Sequence, residues 1–301
     1  MPQIGEVVQF ATVNGQALSS GSATPLFSPQ TQLTKTGGDI RSILFELSLT
    51  TTPIASDTMV SVQGTLGAIA NFIVKDNTGK IVKNFTGPQL AYWYWLRTRK
   101  TLTNPAVAGT AAATTSVVFR LPMGLPAAHG PYQVYVSGAP FGEIATLVAS
   151  ASVSLTLSQE FGPSGPYTED TYLALQGLAV GTNDITNQIP QGVNYSHMSL
   201  VLNADTDFKY YDLNKNGLQV YNQLGLDWFA QVAFGEEPNY AQANDNRPAG
   251  LVPIPYSPFG RGTGDTVKLS LTAVSANADP HSGVNSGSAY NPYAILTVRA
   301  L

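Results

Sequence analysis

One order of features occurs twice in this chain. The stretch "VKDNTGKIVKNFTGPQLAYWYWL" (74–96) reads as strand, glycine turn, strand and a proline-initiated short helix rich in aromatics, and "YYDLNKNGLQVYNQLGLDWFAQVAF" (210–234) repeats it. The turn glycines Gly79 and Gly217 are separated by 138 positions and the helix tryptophans Trp93 and Trp228 by 135. Two landmarks in the same order at nearly the same offset argue for tandem copies of one fold. A chain of 301 residues accommodates two domains of ordinary size. At that length folding buries roughly three quarters of the unfolded surface, so a core needs no covalent staples.

The second copy of the hairpin also carries Asp212, Asn214, Asn216 and Gly217 at the spacing of an EF-hand calcium loop. Such a loop needs a bidentate glutamate at its twelfth position, which here is Gln223, and it sits between helices. Phe208, Tyr210 and Tyr211 before the loop and Leu218, Val220 and Tyr221 after it are strand residues. A hairpin turn in which Gly217 supplies the positive φ accounts for both copies, whereas calcium would account for one.

Around the duplicated unit the texture is that of short strands. "SILFELSL" (42–49), "ANFIVKD" (70–76), "KIVKNF" (80–85), "SVVFRL" (116–121), "YQVYVSG" (132–138) and "LVASASVSLTL" (147–157) fill the first half. "MSLVLNA" (198–204), "FKYYDL" (208–213), "LQVYN" (218–222), "TVKLSLTAV" (266–274) and "YAILTVRAL" (293–301) fill the second. Turn residues at this spacing predict an all-β sandwich or barrel. Each half also has an apolar segment ending in proline ("VVFRLP", 117–122; "LVPIP", 251–255) and is expected to close with a Thr/Ser-alternating strand, "SVSLTLS" or "TVKLSLTA". The segment "EFGPSGPY" (160–167) reads as the linker. The expected organisation is an N-terminal arm over 1–38, a first barrel over 39–163 and a second over 164–301.

Composition removes many chemistries. With no cysteine there is no disulfide framework, thiolate nucleophile or iron–sulfur centre. Charged residues are 11% of the chain, against roughly a quarter in ordinary soluble domains. A surface so poor in charge is one made to be covered by neighbours. The net charge of −4 offers no general attraction to nucleic acid or anionic lipid. Before Asp39 the only charged side chains are Glu6 and Lys35, so the arm is not a phosphate-binding one. The opening "MPQIGEVVQF" has neither the basic start nor the apolar stretch of a secretory signal, and no run approaches the ~20 apolar residues of a membrane span.

The remaining motifs favour structure over chemistry. His129, His197 and His281 stand alone, and "GPSGP" around Ser164 lacks the constrained-nucleophile pattern. "FGRGTGD" (259–265) could cradle a phosphate only if a helix followed, and a strand follows. The neighbouring acids Glu169 and Asp170, and Glu236 and Glu237, do not flank a substrate bond across a cleft. No acid/base cluster, metal set or cofactor loop is identifiable, so the chain reads as a non-enzyme. Arg97, Arg99 and Lys100 form the one concentrated basic patch, placed either to complement the dipole of the 88–96 helix or to meet an acidic partner. The aromatic run "YWYW" (92–95) is too dense to be all core in one short helix, which makes Trp93, Trp95 and Trp228 candidates for packing on a second barrel or subunit.

Two consecutive β-barrels, each with a hairpin followed by a short helix, in a cysteine-free and weakly charged chain, resemble the double jelly-roll major capsid proteins of tailless icosahedral viruses. That family includes the adenovirus hexon and the coat proteins of membrane-containing bacteriophages, and the length is nearer the compact bacteriophage forms. The resemblance covers about 39–301 and rests on architecture and the duplicated hairpin-helix. It implies two tandem eight-stranded jelly rolls with short helices in loops. It further implies a homotrimer that forms a pseudo-hexameric block of an icosahedral shell, beside neighbouring capsomers and a penton protein. An internal membrane, not direct nucleic-acid contact, is the implied inner partner, and assembly is implied in the host cytoplasm. The reading from another class is a carbohydrate- or receptor-binding β-sandwich of a spike or adhesin, in which Tyr240, Tyr256 and Tyr290 would stack on sugars.

Overall fold

The computed structural model of the chain describes residues 3–55, 57–61, 63–165, 167–191, 194–202, 207–225, 250–254, 259–260, 264–272 and 293–299. The chain divides into two compact units, with the boundary between Thr168 and Glu169.

Unit 1 contains β1 (Val7–Ala17), β2 (Thr24–Pro25), β3 (Thr31–Leu33), β4 (Ile40–Pro53), β5 (Val60–Ser61), β6 (Ile69–Lys75) and β7 (Ile81–Phe85). After helix α1 (Gly87–Thr98) come β8 (Ala113–Leu125), β9 (Gln133–Gly138), the single turn α2 (Phe141–Ile144), β10 (Ala145–Thr146) and β11 (Val148–Phe161). One antiparallel sheet has the order β1-β11-β4-β8. In the other, β7 pairs β6, β6 pairs β9, and both β2 and β3 pair β9.

Period-two alternation decides which face each strand buries. Ile43, Phe45, Leu47 and Leu49 of β4 are buried, while Glu46 between them and Thr50 just after them are exposed. Phe45 ties the two sheets together: it stacks on Phe119 of β8 at 4.7 Å and meets Phe72 of β6 edge-on at 5.1 Å. The outward face explains the Ser/Thr periodicity, because hydroxyls pair across strands at Thr12–Thr156 (3.1 Å), Ser48–Ser116 (2.8 Å) and Thr50–Thr114 (2.9 Å). Such cross-strand pairs stabilise a solvent face without charge.

Unit 2 contains β12 (Thr168–Ala174), which starts on the last residue of unit 1, then β13 (Gly181–Asp184), β14 (Asn194–Val201), β15 (Phe208–Lys215) and β16 (Leu218–Leu224). β17 (Leu251–Ile254), β18 (Phe259–Gly260), β19 (Thr266–Leu271) and β20 (Tyr293–Arg299) complete it. Its sheets have the orders β17-β14-β20-β12 and β13-β19-β15-β16. Leu200, Tyr211, Leu213, Val252, Val267 and Leu269 lie at the centre of its core.

Counted by rank along each unit among the described residues, with β2 and β3 as one strand and the two-residue strands β5, β10 and β18 left out, unit 1 has the sheet orders 1-8-3-6 and 2-7-4-5, and unit 2 has the same two orders. Eight strands wound this way are a jelly roll. The duplicated hairpin is the fourth and fifth strand in each copy, and both turn glycines have φ +86°. Of the proline-ended segments, 117–122 and the described part 251–254 both fall on the sixth strand, β8 and β17.

Three expectations are corrected. Residues before Asp39 are not an arm: β1 is the first strand of the barrel, paired with β11 from Val7↔Glu160 to Ala17↔Ser152, and β2 and β3 pair β9. Its irregular register, interrupted between Gln9 and Ala11 and between Val13 and Gln16, is what hides its alternation from a sequence reading. The boundary falls at 168/169, not 163/164. The Thr/Ser strands are not equivalent either, since 152–158 lies in β11, the eighth strand, and 266–271 is β19, the seventh.

Candidate functional site

Helix α1 is built by local signals. Thr86 accepts at Oγ1 from the Gln89 amide (3.4 Å) while its own amide donates to Gln89 Oε1 (3.0 Å), a reciprocal capping box, and Pro88 lies in the first turn. Arg99 ends the helix in the left-handed region at φ +58°, its amide donating to Trp95 O at 2.8 Å. Gly87 is fixed by space, because a Cβ there would stand 1.8 Å from Leu66 O.

The aromatic run belongs to the core of unit 1, which corrects the interface reading of Trp93 and Trp95. Tyr92, Trp93 and Trp95 are buried within the chain; Trp93 stacks on Phe85 at 4.7 Å, and Tyr94 meets Phe119 edge-on at 6.0 Å. The helix packs against β6, β8 and the short turn Thr65–Ala68, so a dense aromatic face has barrel on several sides at once. Arg97 holds its guanidinium 5.7 Å from the Trp93 ring centroid and Arg99 its own 4.9 Å from that of Trp95. The basic patch is therefore seated on the tryptophans by cation–π contact, with Arg97, Arg99 and Lys100 exposed at the C-terminal end of the helix. Trp228 lies outside the described residues.

The other candidates are dispersed. His129 stacks on Tyr167 at 4.1 Å. His197 stands on β14, and His281, Glu236, Glu237, Tyr240, Tyr256 and Tyr290 lie outside the described residues, as do 261–263 of the glycine-rich stretch. Glu169 and Asp170 are successive residues of β12, so they point to opposite faces, with Asp170 buried. The calcium-like loop is a two-residue hairpin turn: Asn216 has φ +50° before Gly217, the Gly217 amide donates to Asn214 Oδ1 (2.7 Å), and Asp212 Oδ1 accepts from the Gln223 amide. Asp212 Oδ1 and Asn214 Oδ1 are thus turned onto the hairpin's own backbone. Gly79 serves a longer turn in which its amide donates to Asp76 O at 3.0 Å.

What the surface does offer is exposed apolar side chains in a setting with few charges, which the sequence reading did not single out. Val118 stands 63% exposed on the outer face of β8, between Ser116 and Arg120. Leu218 and Val220 project from one face of β16, 72% and 44% exposed. At one end of unit 1, Ile54, Val60 and Leu147 are exposed together, with the Ile54 amide donating to Leu147 O at 2.9 Å. Leu147 and the neighbouring Ala55 adopt positive φ, +58° and +47°, which costs energy for residues with a Cβ. Apolar side chains held out by a strained backbone mark surfaces that gain by being covered.

No family model matches the chain, and no curated protein does. Similar solved structures exist. The MCP of STIV, Sulfolobus Turreted Icosahedral Virus, is 12% identical with a TM-score of 0.62, over 99% of this chain and 97% of that one. The major capsid protein P2 of bacteriophage PM2 is 10% identical with a TM-score of 0.54, over 99% and 98%. The capsid of the virus PBCV-1 gives 10% and 0.53, over 99% and 94%. The chain has the double jelly-roll fold of these capsid proteins across its length.

Proposed function

We propose that the chain is a major capsid protein, a structural subunit of an icosahedral virion shell and not an enzyme. The observation that carries this reading is the double jelly roll itself: one strand order is used twice in a single chain, and the similar solved structures, matched over nearly their whole length, are viral capsid proteins. Two barrels per chain and three chains per capsomer give six barrels around a three-fold axis, a block that tiles a pseudo-hexagonal lattice. Such a ring needs a heterologous interface that closes after three copies. Exposed Val118, Leu218 and Val220 on a charge-poor chain are the sort of side chains such contacts cover. In this reading the partners are two further copies, neighbouring capsomers, a penton protein and an internal membrane beneath the shell, with assembly in the host cytoplasm.

The test is the solution state of the purified protein. Light scattering is expected to give three times the chain mass of 31.8 kDa, and negative-stain images are expected to show particles of hexagonal outline. A monomer persisting at micromolar concentration overturns the proposal, and glycan binding by that monomer would favour the spike or adhesin reading instead.

A further inference from the structure

The sequence between Gly162 and Thr168 reads as a loose Gly/Pro/Ser connection, yet the structure fastens it to unit 1. The Gly162 amide donates to Asp39 O at 3.0 Å, and Ser164 Oγ donates to Asp39 Oδ2 at 3.0 Å. Asp39 Oδ1 in turn accepts from the Ala127 amide at 2.8 Å. Tyr167 donates its hydroxyl to Asp76 Oδ2 at 2.9 Å while the His129 ring lies nearly parallel on its other side, 4.1 Å away. Asp76, only 4% exposed, has its other oxygen occupied by the Thr78 amide (2.9 Å), the Thr78 hydroxyl (2.6 Å) and the Lys80 amide (3.0 Å). Lys83, fully buried, donates from Nζ to Thr168 O at 2.8 Å and to Thr168 Oγ1 at 3.3 Å. A chain with few charges thus commits three of them, one just before β4 and two from the β6–β7 hairpin, to one short segment.

We propose that this segment is a strap, anchored at Thr168 by Lys83 and fastened along its length by Asp39 and Asp76, and that acid undoes the two carboxylate fastenings before the barrel itself unfolds. A carboxylate accepts every bond from Ser164 and Tyr167 as an anion, and protonation removes the charge that makes those bonds strong. The Ala127 amide and the Ser164 hydroxyl hold Asp39 below the ordinary carboxylate range. Burial pushes Asp76 up, but the Thr78 and Tyr167 hydroxyls and the Lys80 and Thr78 amides outweigh it and leave it lowered. For a lowered carboxylate the fastening is complete above the unfolded value and is lost as pH falls through the folded one, so release lies below about pH 4. Among the described residues, the titratable groups set against the strap's fastenings are Arg41, beside Gly162, and Lys80, Lys83, His129 and Tyr132, while Glu160, just before the strap, is committed to Arg120 and Ser42. Arg41, Lys80, Lys83 and His129 are bases with no anionic form at these pH values, and burial pushes the Tyr132 hydroxyl up, so none of them supplies the lost negative charge. The strap is a property of the single chain and holds whether or not the chain assembles.

Hydrogen exchange on the full-length protein tests it, with protection corrected for the intrinsic rate and followed from neutral pH to about pH 3. The peptide covering 162–168 is expected to be protected at neutral pH and to lose protection in acid while β4 and β11 keep theirs. The linker-side double variant Ser164→Ala with Tyr167→Phe leaves the barrel's own residues intact. It is expected to exchange about ten-fold faster in this peptide at neutral pH and to show no acid step there. An unprotected strap at neutral pH, a double variant indistinguishable from the parent, or loss of the strap and of β4 and β11 at one and the same pH overturns the proposal.

Discussion

Any side chain at position 79 or 217 must be carried at φ +86°, a region closed to β-branched residues by the clash of Cβ with the backbone. Space is not the obstacle, since a Cβ at either site meets nothing within 4 Å. Replacement by Val therefore isolates the backbone term. Gly79→Val and Gly217→Val are each expected to lose about 1–3 kcal/mol in chemical denaturation, with Ala milder at both sites. Equal stability of the Val variants would mean that the turns are not held at positive φ in solution. The equal φ values do not make the turns identical. Gly217 follows Asn216, itself at φ +50°, in a two-residue turn, whereas Gly79 closes a longer one built on the Asp76 carboxylate. That carboxylate was invisible as a functional residue in the sequence, where "KDNTGK" is an ordinary polar turn, because its partner Tyr167 lies 91 positions away.

Among the elements, α1 shows how a local signal and a tertiary placement combine. Its start was legible from Pro88, which needs no amide partner in a first turn, and the structure adds the reciprocal cap of Thr86 and Gln89. Its environment was not legible. Density of aromatics in a short helix suggested a second surface, but β6, β8 and the Thr65–Ala68 turn enclose the helix within unit 1. Trp93 is stacked on Phe85 and capped by Arg97, with Lys83 Nζ also 5.5 Å from its ring. Trp93→Ala is expected to cost about 3–5 kcal/mol in the unfolding free energy of unit 1, as a large cavity in a packed core does. The measurement is urea denaturation followed by far-UV circular dichroism. A loss below about 1 kcal/mol would show that the helix can detach without cost to the barrel.

For the whole molecule, the expected absence of nucleic-acid binding follows from charge. Net charge is −4, and the first strand, β1, has no lysine or arginine. Counterion release needs clustered cations, and the exposed group Arg97, Arg99 and Lys100 is a small one. The purified protein is expected to show no measurable DNA or RNA affinity at physiological salt by fluorescence anisotropy, and salt-dependent binding would sink the idea. If an internal membrane mediates contact with the genome, virions carrying this protein should lose infectivity and shift density on chloroform treatment. The sequence by itself determined the all-β class, the duplication and the hairpin around each turn glycine, because alternation and turn glycines act over a few neighbouring residues. It did not determine that residues 7–33 are barrel strands or that the tryptophans of α1 face inward. Nor did it determine that the Gly/Pro segment before Thr168 is pinned by Asp39, Asp76 and Lys83. Those facts depend on which distant strands become neighbours, and pairings such as Ala11 with Leu157 are chosen by burial of a shared core, which no local pattern encodes.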